Sequence, residues 1–296
     1  MNIKQHALGV IFMACAMNVF AEDRDSTSFE ITPNDDYELV WSEEFEKDGV
    51  VDSSYWNFEY GFVRNHEDQW YQQDNAYCKD GYLVIEARKC ELPNPWYKEE
   101  ARDWRSQRER IHYTSASINT RGKYNFLYGR IEVRAAIPIA GGAWPAIWTL
   151  GDGMPWPSCG EIDIMEYYRI ESVPHILANV AWGDNRPHHA VWNTKRTPFS
   201  YFLDKDSKWA EKFHTWRMDW DEKQIALYLD DELLNLVPMD SIRNGTIGKG
   251  KNPFNSPQYI LLNLALGGDN GGVIDNNAFP MQYLVDYVRV YQKKQK

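Results

Sequence analysis

Three carboxylates lie within six residues of one apolar stretch, GEIDIMEYY at residues 160–168. They belong to Glu161, Asp163 and Glu166, and the residues around them are aliphatic and aromatic types that favour β-strands. Because side chains alternate between the two faces of a strand, Glu161 and Asp163 point to one face and Glu166 points to the other. A purely structural strand has no reason to gather three charges in this way.

A β-bulge at Ile164 or Met165 brings all three acids to one face, because the extra residue reverses the alternation. Glycoside hydrolysis typically uses two carboxylates on one surface. One attacks the anomeric carbon, and the other protonates the leaving oxygen and then activates water. The alternative is that Glu166 stays on the opposite face and forms a structural salt bridge.

The rest of the chain consists of short apolar or alternating runs separated by Gly, Pro and Asn, a pattern typical of a β-sandwich or jelly roll. It contains no long run of helical period, no repeat and no linker, so we predict one domain over residues 37–293, with a short helical turn at 206–213. Strands are predicted at 37–45, 81–89, 114–120, 128–138, 144–151, 161–168, 175–182, 213–220, 224–231, 257–266 and 283–292.

Two segments are predicted to be loops. Residues 91–112 are charged and carry Trp96 and Trp104, and they form either a solvated loop or short helix, or a wall of a binding cleft. Residues 183–198 carry a neighbouring histidine pair, which is more typical of a surface than of a metal site. Cys78, Cys90 and Cys159 show no zinc spacing and are predicted to be free, buried thiols.

The N-terminus has the pattern of a signal peptide over residues 1–21, with Lys4 before an apolar run that is too short to span a bilayer. Residues 22–36 are polar and are predicted to be a disordered leader. The pattern predicts a secreted or periplasmic protein, and a lipid anchor at Cys15 is the rival interpretation.

The formal net charge is −11, which disfavours nucleic acid and anionic membrane surfaces as partners. Aromatic residues make up 15% of the chain and include 13 Trp. Flat aromatic rings serve either a β-rich core or a sugar-binding cleft, so we expect a glycan partner and a monomeric protein without a membrane span.

The motif GEIDIMEY, preceded by GGAWPAIWTLG and WPSCG, resembles glycoside hydrolase family 16, and in particular its laminarinase-type branch. The resemblance implies an all-β, concanavalin A-like jelly roll of two curved antiparallel sheets, with substrate along the concave face. It extends over most of the chain after the leader, through LVWSEEF at 39–45, YTSASINTRGK at 113–123, YGRIEVRA at 128–135, FHTWRMDW at 213–220, ILLNLALGG at 260–268 and VDYVRVYQ at 285–292.

The resemblance also implies roles for the acids. Glu161 is expected to be the nucleophile, Glu166 the general acid/base with a raised pKa, and Asp163 the assisting carboxylate. An endo-acting enzyme of this kind retains anomeric configuration, which requires the two catalytic carboxyl groups to lie about 5–5.5 Å apart. The implied substrate is a β-1,3-glucan of the laminarin type.

Further positions match sugar-binding residues of the family. Trp144 and Trp148 share one face of their strand, and Trp144 is expected to stack on a sugar. Polar groups at the other positions would orient sugar hydroxyls. These are Arg64, Asn65, His66 and Glu67 in one loop, and Arg130 and Asn263 in strands.

Catalysis needs no cofactor under this interpretation, but Asp286 and Gly81 match positions of a structural calcium site in relatives, and a simple turn or cap is the alternative. Laminarinases often have His where this chain has Ala181. With the long 91–112 segment, this departure leaves the substrate open, and three other hypotheses stand beside a β-1,3-glucanase. They are an endo-β-galactosidase acting on galactans or mucin-type O-glycans, a transglycosylase, and a non-catalytic carbohydrate-binding protein.

Overall fold

The computed structural model describes residues 36–294. The chain divides into Met1–Tyr37 and a compact unit, Glu38–Lys296, which contains the two sheets. The predicted signal peptide and nearly all of the predicted leader lie outside the described residues. The described strands are β1 Tyr37–Glu43, β2 Gly49–Val50, β3 Asn57–Phe58, β4 Gln69–Tyr71, β5 Ala76–Lys79, β6 Tyr82–Pro93, β7 Arg110–Ser115, β8 Ser117–Asn119, β9 Gly129–Ala136, β10 Ala143–Gly151, β11 Glu161–Ile170, β12 Val173–Gly183, β13 Ala190–Pro198, β14 His214–Trp220, β15 Gln224–Leu229, β16 Glu232–Pro238, β17 Gln258–Leu266 and β18 Met281–Lys293.

Helices are few and short. The described α-helices are α1 Trp104–Gln107, α2 Ser200–Lys205 and α3 Gly268–Gly271, and 3-10 turns occur at Gln73–Asn75, Trp209–Glu211, Met239–Ser241 and Pro253–Asn255. The helical turn predicted at 206–213 therefore exists as a single 3-10 turn. Within residues 36–294, no helix has the length and apolarity needed to cross a membrane.

The strands form two large sheets, which confirms the predicted all-β jelly roll. The larger sheet has eleven strands, with the order β16-β15-β14-β9-β18-β6-β5-β2 and with β1, β4 and β7 attached to its sides. The smaller sheet has seven strands in the order β13-β12-β11-β10-β17-β8-β3. The pairings among β2 to β18 are antiparallel apart from the short β4–β7 contact.

The core lies between the two sheets. Alternate residues of β9 in the larger sheet, such as Ile131 and Val133, belong to the same buried cluster as Ile162 of β11 and Leu262 of β17 in the smaller sheet. Burial of each such side chain stabilises the fold by about 1.5–3 kcal/mol. Because alternate residues enter this core, the remaining residues of β10, β11 and β17 face outward and are available to form a site.

The prediction of a loop at 183–198 is wrong for more than half of the segment, because Ala190–Pro198 is strand β13. This strand lies at the edge of the smaller sheet and is largely exposed. Its residues are therefore mostly polar, and they do not show the apolar alternation from which strands are predicted. The loop predicted at 91–112 is shorter than expected, because β6 continues to Pro93 and β7 begins at Arg110.

The three cysteines in the described part of the chain are free, as predicted. Cys78 and Cys159 are buried, while Cys90 is partly exposed. Burial raises the pKa of the Cys159 thiol to about 12, which keeps it protonated and unreactive at neutral pH.

Candidate active site

The predicted bulge is present in β11. In the pairing of β10 with β11, Asp163 lies opposite Trp148 and Met165 lies opposite Ile147, so Ile164 is the extra residue. Both Ile164 and Met165 are fully buried in the core. The side chain that follows them therefore returns to the outward face, and the third acid joins the other two.

The three acids line a cleft of about 690 Å³ on the outward face of the smaller sheet. The chain enters β11 from Gly160, whose φ of +79° and close approach to Phe254 suit a residue without a Cβ atom. Among the predicted site residues, those that line the cleft are Glu161, Asp163, Glu166, Trp144, Trp148, Arg64, Asn65, Glu67 and Asn263.

Glu166 is held by two donors. Trp144 Nε1 donates to its Oε1 at 3.0 Å, and Asn179 Nδ2 donates to its Oε2 at 3.0 Å. Burial raises the pKa of Glu166 to about 7, with the charge of Glu161 acting in the same direction and the two hydrogen bonds opposing it. A carboxyl group with such a pKa can both donate a proton at neutral pH and accept one afterwards.

Glu161 and Asp163 are the other two acids of the cleft, and each also accepts a hydrogen bond. Trp156 Nε1 donates to Glu161 Oε2 at 2.5 Å, and Asn179 Nδ2 donates to Asp163 Oδ2 at 3.1 Å. Burial raises the pKa of Glu161, and hydrogen bonds from Trp156 and Asp163 oppose that rise. Burial and the charges of its two neighbours raise the pKa of Asp163 well above its usual range, and Asp163 is in hydrogen-bonding contact with Glu161.

Comparison with known proteins decides the family. The family model described as Glycosyl hydrolases family 16 matches residues 63–289. The chain belongs to glycoside hydrolase family 16. This glycoside hydrolase is 35% identical to a beta-glucanase of Rhodothermus marinus over 86% of the chain and 85% of that protein.

Two solved structures share the fold of this family 16 enzyme. An endo-acting O-glycanase of the human gut microbiota, of a group that initiates mucin breakdown, matches with a TM-score of 0.77 and 32% identity over 88% of this chain and 92% of that one. The laminarinase catalytic domain of Thermotoga maritima matches with a TM-score of 0.71 and 32% identity over 88% and 100%. The chain spans only 34–56% of several other, longer curated relatives.

The two tryptophans predicted to bind sugar line the cleft of the family 16 enzyme but expose little of their rings. Trp144 is 5% exposed and meets Tyr168 edge-on, and Trp148 is 8% exposed with the guanidinium of Arg64 5.1 Å from its ring centre. The stacking of Trp144 on a sugar stays a prediction; in the structure its ring packs in the cleft wall and its Nε1 donates to Glu166.

Trp156 and Trp192 are the exposed tryptophans of the cleft, at 40% and 45%. Neither residue was predicted to belong to the site, nor was Asn179, which bridges two of the acids. Trp156 begins the WPSCG motif five residues before Glu161, and this proximity is the signal that could have identified it. Trp192 and Asn179 carry no local signal, because pairing of distant strands brings them to the acids.

The polar residues predicted to contact sugar are joined in a network beside the acids. The Arg64 guanidinium pairs with Glu59, whose other partner is the Ser117 hydroxyl at 2.6 Å. Asn263 accepts from Trp148 Nε1 at 2.7 Å and donates to the Tyr71 hydroxyl at 3.1 Å. The network holds these groups at the cleft surface in one arrangement, which favours selective binding of hydroxyl groups.

Three predicted residues lie elsewhere. His66 does not line the cleft; its Nδ1 lies 3.1 Å from the Asp269 carboxylate. The prediction for Arg130 is wrong: Arg130 alternates with the core residue Ile131, faces outward from the larger sheet, and pairs with Asp219 at 2.6 Å. Gly81 has a φ of +79° in the turn between β5 and β6, as the turn alternative predicted.

The calcium interpretation stays a prediction that the geometry disfavours. The Asp286 carboxylate accepts a hydrogen bond from Arg134 Nη1 at 2.7 Å, and that positive charge opposes a nearby cation. The described residues 36–294 contain no group of three or more His, Cys, Asp or Glu side chains that could hold a metal ion.

Proposed function

We propose that this glycoside hydrolase is an endo-acting, retaining enzyme that cleaves internal bonds of a laminarin-like β-1,3-glucan. The convergence of three carboxyl groups on one face through the bulge carries this proposal. Ionised Glu161 attacks the anomeric carbon while Glu166 donates its proton to the leaving glycosidic oxygen. Glu166 then removes a proton from water, whose oxygen attacks the glycosyl-enzyme and releases Glu161.

Retention is supported by the match of the acid motif and its flanking strands to family 16. A single carboxyl group, that of Asp163, lies between Glu161 and Glu166 and contacts both of them. An inverting enzyme instead separates its two carboxyl groups by about 6.5–9.5 Å to admit water. Direct attack by Glu161 instead needs the two carboxyl groups about 5–5.5 Å apart.

A β-glucan substrate is supported by the R. marinus beta-glucanase, and a laminarin-like β-1,3-glucan by the T. maritima laminarinase. A second substrate class, a galactan or mucin-type O-glycan, is supported by the TM-score of 0.77 with the O-glycanase. It is also supported by Ala181, which lies opposite Glu161 in the sheet where laminarinases often have His. A binding protein without activity is disfavoured, since all three acids are present.

A product assay tests the proposal. Wild type, Glu161→Gly and Glu166→Gly are incubated with laminarin, mixed-linkage glucan, agarose, carrageenan and a mucin-type O-glycan, and products are identified by mass. We expect laminarin oligosaccharides from the wild type alone. If only the O-glycan is cleaved, the proposed mechanism stands and the proposed substrate is wrong. If the wild type binds a glycan but forms no product, the assignment as an enzyme is contradicted.

Azide separates the two roles. With an activated aryl β-glycoside, azide can attack directly when Glu161 is shortened, and it can attack the glycosyl-enzyme when Glu166 is shortened. We therefore expect an α-glycosyl azide from Glu161→Gly and a β-glycosyl azide from Glu166→Gly. A β-glycosyl azide from Glu161→Gly and an α-glycosyl azide from Glu166→Gly would show that the roles of nucleophile and general acid/base are exchanged.

The proposal includes export of a monomeric enzyme. Export is supported by the signal-peptide pattern at residues 1–21 and by a polymeric substrate. Intact mass of the exported protein tests it: cleavage after Ala21 is expected, while a lipid-modified Cys15 would contradict it.

A further inference from the structure

The segment between β6 and β7, residues 94–109, folds onto the loop at residues 62–68. That loop carries Arg64, Asn65 and Glu67 to the cleft, whereas none of the described cleft-lining residues comes from 94–109. The segment therefore does not form the cleft wall that its tryptophans suggested. The segment instead contacts backbone carbonyl groups of the 62–68 loop, which carries the cleft-lining side chains.

Two arginines of the segment bind four carbonyl groups of the loop. Arg105 donates through Nε to the Phe62 carbonyl at 2.9 Å and through Nη2 to the Val63 carbonyl at 2.5 Å. Arg108 donates through Nη1 to the Glu67 carbonyl and through Nη2 to the His66 carbonyl, both at 2.7 Å. Each guanidinium thus bridges two neighbouring peptide groups, a geometry that its planar fork allows and an ammonium group does not reproduce.

The arginines are themselves held in place. The side-chain amide of Asn94, which is buried, donates to the carbonyls of Arg105 at 2.8 Å and Arg108 at 2.6 Å. The Trp96 ring lies so close to Gly61 that a Cβ atom there would come within 1.8 Å of it. The segment is therefore anchored at its start and docked beside the first residue of the loop.

The loop needs such support. Asn65 and His66 are consecutive non-glycine residues with φ values of +52° and +50°. Residues held in this left-handed region carry a conformational cost, and they persist where their surroundings impose it. Two of the carbonyl contacts precede this pair, at Phe62 and Val63, and the other two are to His66 itself and to Glu67.

We propose that Arg105 and Arg108 are positioning residues of the active site. They hold the 62–68 loop in the conformation that presents Arg64, Asn65 and Glu67 to the glycan. Without them, the loop samples conformations in which these groups are withdrawn, so substrate binding weakens while the acids on β11 keep their geometry. The inference rests on the proposed function for its choice of substrate.

Steady-state kinetics on a laminarin oligosaccharide test the proposal with Arg108→Ala, Arg108→Lys and the control Arg102→Ala. Arg102 is an exposed arginine of the same segment, and the structure gives it no ion pair or hydrogen bond with the described residues. We expect Arg108→Ala to raise KM about tenfold, as for a lost charge-assisted hydrogen bond, and to leave kcat within about twofold. Arg108→Lys should not restore KM, and Arg102→Ala should match the wild type.

Hydrogen exchange gives a readout that is independent of the substrate. Amides of residues 63–68 should exchange faster in Arg108→Ala, while those of β10 and β11 keep their wild-type protection. Unchanged KM in Arg108→Ala, full restoration by Lys, or unchanged exchange at 63–68 would each overturn the proposal. If the wild type leaves laminarin uncleaved, the proposed substrate fails, and the exchange comparison still tests the positioning role.

Discussion

Burial of Glu166, the proposed general acid, also sets the pH range expected for activity. Its pKa of about 7 means that the protonated form, which the first step requires, is lost as pH rises through neutrality. Because the neighbouring acids interact, the limbs of the pH profile belong to the cluster as a whole.

We predict that kcat/KM falls on the alkaline side with an apparent pKa near 7 and that Glu166→Gln loses about 10²–10⁴-fold in kcat on a natural glycan. A pH series of initial rates for the wild type measures the first quantity. An alkaline limb two or more units higher would show that Glu166 is not the group whose protonation limits the reaction.

The same raised pKa makes Glu166 a source of instability at neutral and alkaline pH. The folded state binds the Glu166 proton more tightly than the unfolded state, so its favourable contribution is present at low pH and is lost as pH rises through about 7. A neutral amide at this position avoids the cost of a buried charge.

We therefore predict that Glu166→Gln has a Tm a few °C above the wild type at pH 8, since about 1 kcal/mol shifts Tm by about 2–4 °C in a domain of this size. The difference should shrink toward pH 5. Thermal unfolding at the two pH values measures it, with Glu222→Gln as an exposed control. An equal Tm difference at both pH values would contradict the linkage.

Strand β13 shows how an edge strand extends the cleft beyond the catalytic strand. Trp192, Thr194 and Arg196 alternate along it and line the cleft, while Lys195 is directed to the other face. Trp192 lies opposite Ala181, which lies opposite Glu161, so its exposed ring lies in the same transverse row as the expected nucleophile.

We predict that Trp192→Ala raises KM about 5–10-fold with little change in kcat, because a lost ring contact is worth about 0.5–1.5 kcal/mol. Lys195→Ala, on the opposite face of the same strand, is the matched control and should bind normally. Kinetics on the substrate identified by the product assay measure both. Equal KM values for the two variants would remove Trp192 from the binding surface.

The whole fold is held by a core between two sheets, and the geometry around Asp286 makes no demand for a metal. We predict that EDTA changes the Tm by less than about 1 °C, because Arg134 already neutralises the Asp286 carboxylate. Thermal unfolding with EDTA, then with added calcium or magnesium, measures this. A calcium-specific rise in Tm that magnesium does not reproduce would establish the calcium site instead.

Much of the site was accessible from local sequence. The spacing of Glu161, Asp163 and Glu166 required a bulge if they were to act together, and the structure places it at Ile164. Most of the predicted strands lie within a few residues of observed ones, because burial of one face imposes period two, but the strand predicted at 114–120 is divided between β7 and β8, and β2 to β5 and β16 were not predicted. Strand β13 was also missed, because neither of its faces is strongly buried.

The sequence by itself determined the strand pattern, the acid cluster and the resemblance to family 16, since each depends on residues that are neighbours along the chain. Only the tertiary structure decided that Trp144 packs in a wall, that Arg130 faces outward from the other sheet, and that Arg108 binds carbonyl groups of the 62–68 loop. These outcomes depend on which sheet covers which face and on contacts between distant segments. A period-two pattern distinguishes the two faces of a strand but does not specify what covers either one.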